Sequence, residues 1–234
     1  MLKLTPSNLR LRYRMLKSRY LQDEKLEAGV DEAGRGCLWG PLVAGAVIWP
    51  PESEWTEEIR EISEQIKDSK KLSAKKRKIL VEHIKKYAVD FATGFVEPSE
   101  IDSLGMSPAN RLAFQRAVNG LTVRPDRLIV DGILSMNTDI EQHTEVEADG
   151  KYIAVASASI LAKETRDEHV LELCKKEMEL QNRYDMASCK GYGTQKHRDG
   201  LKKYGKHPLH RRLFLRKLLG EQVEKSDCLI MDDS

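Results

Sequence analysis

Short apolar runs alternate along the chain with longer amphipathic or charged stretches. Residues 42–49 (Leu-Val-Ala-Gly-Ala-Val-Ile-Trp) carry no charged or amide side chain, the pattern of a strand covered on both faces. Pro50-Pro51 ends it. Residues 27–31, 89–96 and 127–131 read as further strands, and 145–148 as another. Helical spacing is predicted over 5–24, where Leu9, Leu11, Tyr13, Leu16 and Tyr20 lie among basic residues. An acidic helix is expected over 54–66, and one over 74–87 with Ser73 as its N-cap. Residues 99–101 and 108–119 read as helical, the second with Leu112, Phe114, Ala117 and Val118 to bury. A long helix is predicted over 154–180. Its first half is small (Ala154, Ala156, Ser157, Ala158, Ser159, Ala162), which allows close approach to a sheet or a nucleic-acid backbone. A loop over 186–194 leads to one or two basic helices over 195–219.

Strands alternating with helices argue an α/β layer architecture. No internal repeat or low-complexity tract interrupts it, and 234 residues suit one domain. The expected organisation is a basic, helical N-terminal extension over 1–25, a domain over 26–220 and a frayed acidic tail over 221–234.

Composition changes this picture little. Hydrophobic residues make up 40% and charged residues 32%, ordinary for a globular domain. No apolar run approaches a membrane span, and the basic N-terminus lacks the apolar core of a signal peptide, so a cytoplasmic protein is expected. Cys37, Cys174, Cys189 and Cys228 are scattered without metal-site spacing and read as free thiols.

Charge changes it more. The net charge of +2 hides strong segregation. Residues 67–78 hold seven Lys/Arg against one acid, residues 190–217 ten against one, and the first 25 residues seven against two. Residues 52–64 and 139–149 are acidic. Basic clusters of this kind suit a polyanionic partner.

Candidate chemistry centres on residues 29–40, Gly-Val-Asp-Glu-Ala-Gly-Arg-Gly-Cys-Leu-Trp-Gly. Asp31 and Glu32 end an apolar approach and run into a Gly-Arg-Gly turn. Paired carboxylates hold hard divalent cations, glycines admit a close ligand, and arginine offers planar donors to phosphate. Asp131 ends another apolar strand, and Asp167 lies on the long helix. Neighbouring strands would bring Asp31 and Asp131 to one sheet end, beyond which α/β sites lie. Glu32 joins them only if the chain is already turning, because adjacent strand residues face opposite ways. Acids so gathered repel one another unless cations neutralise them. Two cations together activate a water and stabilise the leaving oxygen of a phosphodiester. Lys70 and Lys71 are candidate phosphate contacts. Tyr192, in Lys-Gly-Tyr-Gly-Thr, is a candidate for stacking on a sugar or base. His197 and His210 are candidate metal ligands, but they lie in a basic stretch where phosphate contact or plain surface is the more natural role.

Residues 29–36 closely resemble the signature of the type 2 ribonucleases H, the ribonuclease HII family. Residues 68–72 (Asp-Ser-Lys-Lys-Leu), 128–132 (Leu-Ile-Val-Asp-Gly) and 159–167 (Ser-Ile-Leu-Ala-Lys-Glu-Thr-Arg-Asp) resemble its second, third and fourth blocks. Residues 190–194 with His197 resemble the fifth, and His210-Arg211 followed by Phe214 a closing block. The resemblance implies an RNase H-like fold: a mixed sheet of about five strands flanked by helices, with a C-terminal helical segment. It implies hydrolysis of the RNA strand of RNA–DNA hybrids and incision 5′ of single ribonucleotides in duplex DNA, as in ribonucleotide excision repair, leaving 5′-phosphate and 3′-hydroxyl ends. By the same resemblance Asp31, Glu32, Asp131 and Asp167 become catalytic acids on Mg²⁺ or Mn²⁺. Gly34, Arg35 and Gly36 become the turn that reads the ribose 2′-hydroxyl, and Tyr192 packs on the junction sugar. Lys70, Lys71 and His197 complete the substrate contacts, and a monomer is expected. Cys37 and Trp39 depart from the family pattern, which usually has a proline and a small residue there. The N-terminal extension is too short for the extra domain of the type 3 enzymes. A nucleic-acid-binding protein without catalysis, and a nuclease for all-DNA junctions, stand as alternatives.

Overall fold

A computed structural model describes residues 15–219. Five strands form one mixed sheet in the order β3-β2-β1-β4-β5: β1 (Glu27–Ala33), β2 (Leu42–Ile48), β3 (Asp90–Val96), β4 (Arg127–Asp131) and β5 (Glu141–Glu145). β1 pairs antiparallel with β2, and β2 with β3; β4 runs parallel to both β1 and β5. The helices are α1 (Glu57–Ser63), α2 (Ala74–Tyr87), α3 (Pro98–Leu104), α4 (Met106–Asn119), α5 (Ile153–Lys176), α6 (Met178–Tyr184), α7 (Met186–Cys189), α8 (Gln195–Tyr204) and α9 (Arg212–Leu219).

α4 covers one face of the sheet, packing Phe114 and Ala117 on Ala28, Val30, Leu128 and Val130. α5, backed by α1 and α2, covers the other, where Val47 meets Ile153, Ala154 and Ala158. The small residues of α5 have a specific use. A Cβ on Gly29 would lie 2.2 Å from the carbonyl carbon of Ala154, and one on Gly45 2.5 Å from the oxygen of Ala158. Glycines in β1 and β2 therefore let the α5 backbone lie directly on the sheet. Gly94 does the same for α4, with Ala113 O 2.3 Å from the position of its missing Cβ.

Several expectations are corrected. The fifth strand is 141–145, not 145–148. It reads Glu-Gln-His-Thr-Glu, a half-exposed edge strand without an apolar run to announce it. Residues 15–24 are not helical. Lys17 instead pairs with the start of α5, its N–H donating to Lys151 O at 2.7 Å and its C=O accepting from Ile153 N at 3.0 Å. Leu16 and Tyr20 pack on the body from this extended segment. The rest of the predicted N-terminal helix, the acidic tail and Cys228 lie outside the described residues. The predicted 154–180 helix breaks at Glu177 into α5 and α6, and the predicted loop contains the single turn α7. Cys37, Cys174 and Cys189 are free and buried.

Candidate active site

Register places the first two acids. Val30 is level with Val130 on the parallel pair β1 and β4, so Asp31, two residues short of the end of β1, and Asp131, the last residue of β4, lie side by side on strands about 4.8 Å apart. Val30 and Val130 face α4, so the two aspartates point to the α5 face. There the Ser159 hydroxyl supports Asp31, whose Oδ1 also accepts from Glu32 N at 2.7 Å. Asp131 Oδ1 accepts from Ala148 N at 2.7 Å, which ties the 3-10 turn Ala148–Gly150 to the end of β4. Glu32 does not need the chain to turn before it. β1 runs on to Ala33, Glu32 faces the α4 side, and Asn110 Nδ2 on α4 donates to its Oε2 at 3.4 Å. Arg35 Nη1 lies 3.8 Å from the other oxygen.

A second wall of the site is the segment 68–72. Asp68 caps its 3-10 turn by accepting from Lys70 N at 2.9 Å. Ser69 Oγ and Ser159 Oγ are 2.9 Å apart and buried, which pins this turn beside Asp31. Lys70 thereby projects toward Asp31, Asp131, Asp149 and Asp68, and its pKa rises in their field although partial burial opposes the rise. Lys71 stands more exposed, with Nζ 3.3 Å from Asp68. A groove of about 230 Å³ opens here, lined by Glu32, Gly34, Lys70, Ser159, Lys163 and Tyr192 among others. A larger cavity, about 520 Å³, lies at the opposite end of the sheet beside Leu26, Glu27 and Trp49, away from these acids.

The fourth acid at this end is Asp149, which the sequence pattern did not single out. It is buried, and burial together with Asp131 and Asp68 raises its carboxyl pKa while Lys70 and Lys71 lower it. Asp149-Gly150 repeats the Asp-Gly pair of 131–132 inside an acidic run, a signal that was there to use. Asp167 is not brought to the cluster. It lies eight residues beyond Ser159 on α5, about 12 Å of helical rise. Its charge is held by Lys163 Nζ at 2.7 Å and Arg77 Nη2 at 3.8 Å, and Arg77 Nε also binds Glu164 at 2.6 Å.

The Gly-Arg-Gly turn leaves β1 with Gly34 at φ +89°. A Cβ on Gly34 would sit 2.1 Å from Arg166 Nε, so conformation and space both demand glycine. Gly36 has open space around it. Arg166 and Arg211 are fully buried behind the turn. Arg166 donates to Pro41 O, Trp39 O and Lys190 O at 2.8–3.0 Å, tying the turn's far arm to the Tyr192 loop. Leu38 N also donates to Gly191 O at 2.9 Å. Trp39 is buried, with Nε1 3.2 Å from His207 Nδ1, so a large residue is accommodated there.

Tyr192 is 40% exposed, and the Lys163 ammonium lies 5.2 Å from its ring centre. Burial of its hydroxyl, with the Cys37 thiol close by, pushes its pKa up to about 12, so it stays a neutral phenol. His197, expected among the substrate contacts, is instead fully buried. Its Nδ1 is 2.9 Å from Tyr192 O and its Nε2 2.9 Å from His210 Nε2, while His210 Nδ1 accepts from His207 N at 2.8 Å. One chain of donors fits: His207 N–H to His210, His210 to His197, His197 to Tyr192 O. Burial holds both rings neutral, with the His210 pKa lowered to about 3, so the pair fixes the Tyr192 backbone.

The acids carry the electrostatic tension. Desolvation raises the Asp31 pKa well above the usual carboxylate range, and the charges of Glu32 and Asp131 add to it. Burial likewise raises Glu32 against the opposing pull of Asn110 and Arg35. Among the described residues no three or more His, Cys, Asp or Glu side chains are gathered closely enough to hold a metal ion as they stand. The donor set nevertheless fits a hard cation: carboxylate oxygens alone, crowded and desolvated, are what Mg²⁺ or Mn²⁺ relieves.

A family model for ribonuclease HII matches residues 28–217. The chain belongs to the ribonuclease HII family. It is therefore a type 2 ribonuclease H, a hydrolase of the nuclease class with the RNase H-like fold. Ribonuclease HII of Parabacteroides distasonis is 41% identical over 205 residues, 87% of this chain and 96% of that one. The crystal structure of ribonuclease H2 from Pyrococcus horikoshii OT3 superposes with a TM-score of 0.66 at 30% identity, covering 82% of this chain and 96% of that one. Bst-RNase HIII, solved in complex with Mn²⁺, shares the fold with a TM-score of 0.63 at 18% identity, covering 92% of this chain and 73% of that one.

Proposed function

We propose that this ribonuclease HII hydrolyses the RNA strand of RNA–DNA hybrids and incises 5′ of single ribonucleotides in duplex DNA. The observation that supports it best is the clustering of Asp31 and Asp131 with Glu32, which itself lines one groove with the glycine turn and a half-exposed tyrosine. Asp31, Glu32, Asp131 and Asp149 would hold two divalent cations, Mg²⁺ or Mn²⁺. Bound there, such cations supply Lewis-acid stabilisation and an activated water for in-line displacement, giving 5′-phosphate and 3′-hydroxyl ends. The chain's own residues do the rest. Ser159, Asn110 and the Ala148 N–H orient the carboxylates. Lys70, Lys71, Arg35 and Lys163 hold backbone phosphates as point or fork charges. The turn at 34–36 reads the 2′-hydroxyl, the one group by which a protein tells RNA from DNA at a given nucleotide. Tyr192 packs on the sugar at the junction. Asp167 holds Lys163 and Arg77 in place and does not bind the cations. The enzyme acts as a cytoplasmic monomer in ribonucleotide removal.

The test is incision of a duplex DNA carrying one ribonucleotide, with and without Mg²⁺ or Mn²⁺, beside an all-DNA duplex and an all-DNA four-way junction. Cation-dependent cutting 5′ of the ribonucleotide alone is expected. Binding without incision would favour a non-catalytic role, and junction cutting a different nuclease.

A further inference from the structure

Arg211 carries a buried charge that no carboxylate among the described residues contacts directly, Asp102 acting on it only from a distance. It is fully buried and, among the described residues, forms no ion pair. Its Nε donates to Gly40 O at 2.9 Å, and its Nη1 to Gly34 O at 2.7 Å and Arg35 O at 3.1 Å. Its Nη2 has no hydrogen-bond partner among the described residues. A desolvated cation is tolerable only where oxygens face it, and here the oxygens are the carbonyls of the glycine turn.

This fixes the other side of the same peptides. The peptide bonds of the turn are trans, so each N–H points opposite to the C=O it shares a plane with. Turning Gly34 O toward Arg211 turns Arg35 N–H away from it, and turning Arg35 O inward does the same to Gly36 N–H. Neither N–H donates to any group among the described residues. Both belong to residues that line the groove. Arg166, behind the same turn, holds its far arm through Trp39 O and Pro41 O, so the plane cannot relax by sliding along the chain.

We propose that Arg211 is the positioning residue for ribose discrimination: by holding the carbonyls of Gly34 and Arg35 it presents the Arg35 and Gly36 N–H groups to the groove as a pair of donors for a sugar hydroxyl oxygen. This rests on reading the turn as the sensor of the 2′-hydroxyl. A deoxyribose leaves both donors empty, while contacts to phosphate are unaffected. Arg211 itself never touches the substrate.

The experiment measures affinity in EDTA for two otherwise identical duplexes, one all DNA and one with a single ribonucleotide. In Arg211→Met the preference for the ribonucleotide should fall by about tenfold, the scale of one or two hydrogen bonds. Affinity for the all-DNA duplex should stay within about twofold. Arg211→Lys, which keeps one cation for the carbonyls, should retain more of the preference than Arg211→Met, a rescue that loss of packing alone would not give. If Arg211→Met does not fold, Gly36→Pro removes one donor with Arg211 intact, and the preference should fall there too. A wild-type preference that survives unchanged in whichever of these variants folds would overturn the role of Arg211. A wild-type protein with no preference at all would overturn the reading of the turn itself.

Discussion

At the scale of residues, the acids divide by position. Asp31→Asn, Asp131→Asn and Asp149→Asn should each lower turnover by more than about 100-fold, because each removes an oxygen ligand from a charge-stabilising site worth several kcal/mol. Duplex binding should persist. Asp167→Asn, which leaves the cluster intact, should cost far less, and a loss as large as that of Asp31→Asn in single-turnover assays would return Asp167 to the centre. The raised pKa values have their own consequence. A carboxyl whose folded pKa lies above its unfolded value makes the folded state bind more protons, so stability falls as pH rises from about 4 through the folded pKa. Asp31, Glu32 and Asp149 all shift in that direction. The buried neutral His197 and His210 act oppositely between pH 5.5 and 7.5, so the carboxyl effect is read as a difference. The melting temperature of cation-free wild type relative to Asp31→Asn should fall as pH rises from 5.5 to 7.5, and added Mn²⁺ should raise the wild-type melting temperature more at the higher pH. Cation-free Asp31→Asn should be more stable than wild type at pH 7.5, by about 2–4 °C for each kcal/mol relieved. Thermal melting across that pH range checks both.

At the scale of elements, the seat of α5 on β1 and β2 sets where Ser159 meets Asp31. Gly29→Ala would drive a methyl into the Ala154 backbone, which has no flexible end to move aside. Overpacking of that kind costs about 1–3 kcal/mol. Denaturant melts should show it, together with lower activity, whereas Gly36→Ala, into open space, should leave stability unchanged. The same elements show what the chain reveals about itself. The runs at 42–48 and 127–131 announce buried strands because an apolar side chain is wanted on both faces. β5 stays silent because an edge strand facing solvent can be wholly polar. Around Leu16 and Tyr20 a helical spacing of apolar residues is reproduced by an extended segment that drops two side chains onto the body. β1 runs two residues past Asp31, whereas Asp131 is legible as a strand end. Asp149 is not, since it arrives on a 3-10 turn whose place depends on a hydrogen bond to Asp131 formed only in the folded chain. His197 looks like a surface contact in one dimension; its burial against His210 needs the third.

Over the whole molecule, charge follows the sheet. The basic segment at 67–78 starts at the acid-bearing end, and α8 adds Lys196, Arg198, Lys202 and Lys203, while the acidic stretch at 52–64 leaves β2 at the opposite end. A duplex is thus drawn to the groove end. Lys202→Glu with Lys203→Glu should weaken hybrid binding for every sequence and flatten the salt dependence of log K by about one unit for each phosphate that is no longer neutralised. The rate at saturating substrate should hold, and titrations at several salt concentrations would decide it. Among the described residues no helix is long and apolar enough to cross a membrane. The arginine that faces the carbonyls of residues 34 and 35 belongs to a segment that follows the whole sheet and its long helix in the chain. On the reading proposed above, a nascent polypeptide thus completes its hydrolytic acids well before it completes the part that chooses where they act.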